Sequence, residues 1–202
     1  MKFFLGLFLS FLIGSFPTAY WLGRLLRGVD IRQHGSGNVG ATNVFRVIGK
    51  KWGIAVLILD MMKGAALAAF LSPNFFSPAL GQTLNALVLG LTAVCGHVWT
   101  PWLGFKGGKG VATSAGVFFA LTPVPALEAL VVWALVFAWK RYVSLASLVT
   151  ASLFPIWVFL FYLKKEGFHV LFPISLIVPI FIFYTHRGNI QRLREGTEKR
   201  LI

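Results

Sequence analysis

Apolar residues fall in seven long runs, at approximately 3–23, 52–72, 84–103, 110–123, 125–139, 142–163 and 168–185, separated by short polar stretches. A helix needs roughly 20 such residues to cross a bilayer's hydrocarbon core. The pattern predicts an all-α integral membrane protein, a bundle of seven transmembrane helices forming a single polytopic domain over 1–202. The fourth and fifth runs are short, and Pro123 and Pro125 fall between them. Five or six crossings are therefore the alternatives, with these two runs read as one kinked element. The first run starts with a single Lys, as a signal peptide does. It exceeds the usual run of about 7–15 residues and lacks a clear small-x-small cleavage site, so a retained helix is expected.

Composition agrees with the pattern. The 202 residues are 57% hydrophobic and only 12% charged, against roughly 25% charged in soluble domains. Mean hydropathy is +0.77. Charge then sets an orientation: with the N-terminus outside and the C-terminus in the cytoplasm, fifteen Lys and Arg residues lie in inner loops, and only Lys2, Lys164 and Lys165 lie outside. That asymmetry follows the positive-inside rule and favours an odd number of crossings. The net charge of +13 is thereby accounted for by topology and by anionic membrane lipids as partners, without nucleic acid. The single Cys95 excludes a disulfide framework and a four-thiolate metal site, and the four histidines show no ligand spacing.

Three polar clusters interrupt the apolar pattern. The first, HGSGNVGATN at 34–43, contains Gly35-x-Gly37-x-x-Gly40, the spacing of a dinucleotide fingerprint. That fingerprint needs a preceding strand and a downstream acidic residue on a soluble sheet. Here Asp60 lies inside an apolar run, so the match is coincidental. A phosphate-binding P-loop is excluded too, because Ala41 and Thr42 follow Gly40 where Lys and Ser or Thr are required. What remains, over 34–50, is a Gly-rich loop with Ser36, Asn38, Thr42 and Asn43 interleaved and Arg46 beyond. Glycines let successive N–H groups face an anion, and the guanidinium adds a charged fork; turns and helix caps explain the same residues about equally well.

The second cluster, GFKGGKGVATS at 104–114, sets Lys106 and Lys109 among glycines ahead of the fourth run. Free N–H groups and the positive helix end would point at an anion there. The third, at 184–200, contains His186 and Asn189, three apart and on one face if the helix continues, with Arg187, Arg192 and Arg194 nearby. Under the orientation above, all three clusters lie on the inner face. Within the membrane, Asp60 and Lys63 are spaced to pair, either as a buried structural pair or as a substrate contact. His97 lies near the inner end of the third run and is a further candidate lining residue; Glu128 has no assigned role.

The segments GSGNVGATNVFRVIG, GFKGGKGVAT and HRGNIQRLREGTE resemble the three cytoplasmic motifs of the bacterial acyl-phosphate-dependent glycerol-3-phosphate acyltransferases, and the likeness covers essentially the whole chain. The resemblance implies transfer of a fatty acyl group from acyl phosphate to the 1-hydroxyl of sn-glycerol 3-phosphate, giving lysophosphatidic acid and phosphate at the start of phospholipid synthesis. It implies a bacterial cytoplasmic (inner) membrane location with the site facing the cytoplasm. Ser36 and Arg46 match essential residues of the first motif; Gly107, Gly108 and Gly110 match the glycerol-phosphate loop. His186, Asn189 and Glu198 match the third motif, the glutamate in a structural role.

The expected catalytic set is therefore Ser36, Arg46, Lys106, His186 and Asn189. Substrate contacts are expected from Gly37, Asn38, Thr42, Asn43, Gly107, Gly108, Lys109, Gly110, Asp60 and Lys63. Acyl phosphate is an activated anhydride with an anionic leaving group, so positioning and charge neutralisation suffice, and no metal or dissociable cofactor is needed. A monomer is expected. The proton of the attacking hydroxyl goes either to His186 or to a phosphate oxygen of the donor, the latter being favoured. An organophosphate transporter is the rival reading. It would call for broken helices at the bilayer centre and similar halves, which the sequence does not display. A non-catalytic membrane anchor leaves the three polar clusters unexplained.

Overall fold

The structure, a computed structural model, describes residues 1–75 and 77–201, and every regular element among them is helical. The chain forms two compact units, Met1–Leu121 and Thr122–Ile202, described separately below.

The first unit begins with α1 (Lys2–Ser15) and α2 (Thr18–Arg27). The single helix expected over 3–23 is thus broken at Phe16 and Pro17, because proline brings no N–H to continue the ladder and its ring crowds the preceding turn. A left-handed Gly28 (φ 65°) ends α2. After the first polar loop come α3 (Ala41–Val47) and α4 (Lys50–Ala66), the latter running through a π-helical turn at Leu67–Leu71 into the short α5 (Ser72–Asn74). Next are α6 (Gly81–Val98) and α7 (Val111–Leu121).

Two helix pairs organise this unit: α1 on α6, and α4 on α7. Both rest on glycine. A Cβ at Gly14 of α1 would overlap the backbone of Ala93, and one at Gly96 of α6 would overlap that of Phe11. Gly64 of α4 and Gly116 of α7 likewise sit against the carbonyl oxygens of Thr113 and Met61. In lipid the hydrophobic effect does not draw one helix to another, so backbone-close van der Waals contact through small residues takes its place.

The second unit contains α8 (Pro123–Lys140), α9 (Val143–Tyr162), α10 (Phe168–Thr185) and α11 (Arg187–Arg194). Both α8 and α10 pack on α9. The indole of Trp133 donates to Ser147 Oγ at 3.2 Å across α8 and α9, and Phe159 of α9 meets the stacked rings of Phe168 and Phe172 of α10 edge-on and tilted.

Among the described residues, six spans are long and apolar enough to cross a membrane: Lys2–Arg27, Lys50–Asn74, Gly81–Leu103, Pro123–Lys140, Val143–Tyr162 and Phe168–Thr185. The chain is a multi-pass membrane protein. The expected fourth crossing, over 110–123, is an apolar helix of only 11 residues, about 16 Å at 1.5 Å per residue and roughly half the hydrocarbon thickness. Thr113, Ser114, Gly116, Val117 and Phe118 are buried, and α4 and α6 pack on it.

Candidate active site

The first polar loop is built from Asp30, a residue the sequence pattern does not flag. Its carboxylate accepts the backbone N–H of Arg32 at 3.0 Å, starting a 3-10 turn over Ile31–Gln33, and accepts the Arg32 guanidinium at 2.7 Å. Arg24 approaches the same carboxylate at 3.5 Å. Hydrogen bonding from the Arg32 side chain brings the Asp30 pKa down to about 2, against the opposing effect of burial.

Asn43, expected to contact substrate, is turned inward instead and is 1% exposed. Its Oδ1 accepts the Ser36 N–H at 2.8 Å, and its Nδ2 donates to the carbonyls of Ile31 at 2.9 Å and His34 at 3.0 Å. The loop curls around this amide. Gly35, at φ 64°, lies so close to Asn43 Oδ1 that a side chain there would collide with it. The outcome is an exposed Ser36 whose backbone is fixed and whose hydroxyl makes no hydrogen bond among the described residues. Thr42 and Arg46 lie four apart on α3, hence on one face, and both are half-buried. Gly37, at φ 71°, closes the turn by donating to the His34 carbonyl at 3.0 Å, with the half-buried Asn38 beside it.

The second loop folds back onto the end of α6. Phe105, Gly107 and Gly108 donate their N–H groups to the carbonyls of Thr100, Val98 and His97 at 2.9, 2.9 and 3.1 Å. The expectation that Gly107 and Gly108 aim their N–H groups at an anion is thereby corrected. Those donors satisfy carbonyls that a helix C-terminus leaves unpaired. A Cβ at either glycine would strike the carbonyl or ring of His97, so their smallness serves this fold-back. Lys106 is exposed at the outside of the bend, and Lys109 is half-buried. Gly110, at φ 79°, turns the chain into α7, whose ladder starts with Ser114 N–H on the Gly110 carbonyl.

Both loops stand on one apolar cluster. Ile31, Val39 and Val44 from the first loop and α3 pack with Leu103, which leads into the second loop, and with Ala19, Ile48 and Val56. Beneath lies a polar group. Lys63 Nζ meets Asp60 Oδ1 at 2.8 Å, Thr18 Oγ1 at 2.5 Å and the Phe16 carbonyl at 2.6 Å. Thr18 also donates to Asp60 Oδ1 at 3.1 Å, and His97 Nδ1 stands 3.8 Å from that oxygen. The break at Pro17 leaves the Phe16 carbonyl and Thr18 facing this group. A lone Thr after a Pro within an apolar run was the available signal.

In the second unit α10 stops at Thr185 and α11 starts at Arg187, so His186 and Asn189 do not share one uninterrupted helix as expected. His186 is 2% exposed, with Nδ1 at 2.8 Å from the Ile182 carbonyl. A carbonyl can only accept, so Nδ1 carries a hydrogen. Asn189 donates to Glu198 Oε1 at 2.6 Å, Ser144 Oγ donates to the same oxygen at 2.6 Å, and Arg192 Nε donates to Oε2 at 2.8 Å. Burial raises the Glu198 pKa, but these hydrogen bonds outweigh it and hold it below the ordinary value. Ser144, at the start of α9, was not legible in the sequence as part of this clamp. Among the described residues no group of three or more His, Cys, Asp or Glu side chains is arranged to hold a metal ion.

Residues 4–196 match the family model described as glycerol-3-phosphate acyltransferase. The glycerol-3-phosphate acyltransferase of Fusobacterium nucleatum is 44% identical over 201 residues, covering 99% of this chain and 98% of that one. That of Desulforudis audaxviator is 46% identical over 193 residues, covering 95% and 92%. Among solved structures, the fold is similar to PlsY (YgiH), an integral membrane glycerol 3-phosphate acyltransferase in its glycerol 3-phosphate form, with TM-score 0.87, 38% identity and coverage of 99% and 96%. The chain, with its two Gly-rich loops on a shared apolar footing inside a multi-pass bundle, belongs to the glycerol-3-phosphate acyltransferase family of membrane lipid-synthesis enzymes.

Proposed function

We propose that this acyltransferase takes its acyl group from acyl phosphate and places it on the 1-hydroxyl of sn-glycerol 3-phosphate, releasing lysophosphatidic acid and inorganic phosphate. The observation that carries this reading is the common apolar footing of the first two loops, which gives Ser36, Arg46, Lys106 and Lys109 one rigid support. Cations and hydroxyls held in place before the reaction are what two phosphorylated reactants require. A protein of similar fold has been described in a lysophosphatidic acid form, which supports the product.

The hydroxyl oxygen attacks the acyl carbon, a new ester C–O bond forms, the carbonyl-to-phosphate C–O bond breaks, and phosphate leaves with the electron pair. The hydroxyl proton passes to a phosphate oxygen of the donor. Lys106 and Arg46 neutralise phosphate, and Ser36 donates from its exposed hydroxyl. His186 and Asn189 orient substrate, each held by its own backbone or clamp contacts. Seven crossings, with α7 as the short one, the N-terminus outside and the C-terminus cytoplasmic, accord with the distribution of basic residues. The enzyme sits in a bacterial cytoplasmic (inner) membrane and acts as a monomer.

The test uses purified protein in vesicles with labelled glycerol 3-phosphate and, separately, palmitoyl phosphate or palmitoyl-coenzyme A. Labelled lysophosphatidic acid with equimolar phosphate is expected from palmitoyl phosphate alone. Product formed only from the thioester overturns the donor assignment.

A further inference from the structure

The Asp60 group lines a narrow cleft with Thr18, Val39, His97, Gly107 and Gly108, directly under the second loop. Its carboxylate is used unevenly. Oδ1 takes every hydrogen bond that Asp60 receives among the described residues, from Thr18 and Lys63, and the nearest approach of His97 is to the same oxygen. Oδ2 accepts none, although Asp60 is 2% exposed and Oδ2 is not among the fully enclosed unpartnered atoms. A largely enclosed carboxylate oxygen is costly to leave without a donor. Asp60 lines the cleft, so a donor held there is within its reach.

The chemistry of the missing donor follows. A carboxylate repels phosphate and accepts from a hydroxyl, and the cleft has room for a group about the size of one water or hydroxyl. Lys63 bonds Oδ1 together with the Phe16 carbonyl and Thr18, so Oδ2 is the oxygen left to accept. The enclosure leaves no place beside it for an acyl phosphate, which excludes the reacting hydroxyl.

We propose that Asp60 Oδ2 accepts the hydrogen of the non-reacting secondary hydroxyl of glycerol 3-phosphate, making Asp60 a specificity-determining residue, with Lys63 and Thr18 as its positioning residues. This rests on glycerol 3-phosphate being the acceptor as proposed above, and it adds the group that distinguishes it from a phosphate ester lacking that hydroxyl.

The experiment compares kcat/KM for glycerol 3-phosphate and for 3-hydroxypropyl phosphate, which keeps the reacting hydroxyl and the phosphate, in wild-type enzyme and in Asp60→Asn. Wild type should prefer glycerol 3-phosphate by on the order of tenfold to a hundredfold, the worth of a hydrogen bond to a charged group. In Asp60→Asn that ratio should collapse toward one, an effect that a purely structural lesion, slowing both acceptors alike, does not produce. Equal use of both acceptors by wild type overturns the proposal without any variant, and so does a wild-type ratio retained in Asp60→Asn. Should that variant fail to fold, Asp60→Glu keeps the charge but shifts the acceptor oxygen by a methylene, and an unchanged ratio there is equally fatal. Absence of any product from glycerol 3-phosphate in wild type instead overturns the underlying functional reading.

Discussion

Asn43 Oδ1 accepts the backbone N–H of Ser36 at 2.8 Å, so the orientation of an exposed serine is fixed by a buried amide seven residues away. Replacing Asn43 with Ala leaves that N–H and the carbonyls of Ile31 and His34 without their partner. About 2–3 kcal/mol of stability should be lost, and kcat/KM should fall at least tenfold because the loop no longer holds its shape. Asn43→Asp keeps the acceptor but sets a negative charge against two carbonyl oxygens. It should be no better than Asn43→Ala, which thermal unfolding and initial rates will show; an Asp variant with wild-type activity contradicts this account of the loop.

Gly108 lies against the His97 ring so closely that a methyl would overlap it. Gly108→Ala should therefore displace the second loop and lower activity by on the order of a hundredfold, a shift of about an ångström being enough for that. Adding His97→Ala creates the missing space. The double variant should recover part of the loss relative to Gly108→Ala, a coupling measurable as a double-mutant cycle; strictly additive losses count against a steric origin.

The Asp30 pKa of about 2 lies below its usual value near 3.8. A carboxyl depressed in the fold stabilises it above the unfolded pKa, and that contribution disappears as pH falls through the folded value. Asp30→Asn should lower the melting temperature at pH 7, and the gap to wild type should close between about pH 4 and pH 2. A gap constant across that range would mean that Asp30 acts without its charge.

His186 donates from Nδ1 to the Ile182 carbonyl. If the acyl donor's phosphate takes the proton, His186→Gln retains a measurable rate and leaves the acidic limb of the pH–rate profile unchanged. If His186 is the base, the variant loses several orders of magnitude and the acidic limb of the pH–rate profile with it. Rates of wild type and variant across pH 5–9 separate the two.

Much of the helical plan was legible because bilayer length and apolar composition are one-dimensional properties. Pro123 and Pro125 mark a real boundary: α7 ends at Leu121 and α8 starts at Pro123. The break at Pro17 was hidden because hydropathy runs unchanged across it. Within the loops the residue types were informative but their directions were not. Whether Asn43 faces solvent or the loop interior, and whether Gly107 and Gly108 donate outward or back to α6, is decided by tertiary neighbours that no local spacing encodes. Asp30 escaped notice for the same reason, since its partners Arg24 and Arg32 look like topology charges when read along the chain.

The 11 residues of α7 also act as a ruler. In a helix this short, the level of the glycine segment ahead of it follows directly from where α7 packs on α4 and α6. Inserting four alanines into α7 would move the preceding glycine segment by about 6 Å along the axis. The insertion would thus separate depth from sequence as determinants of the reaction, since every side chain in the loops would remain unchanged.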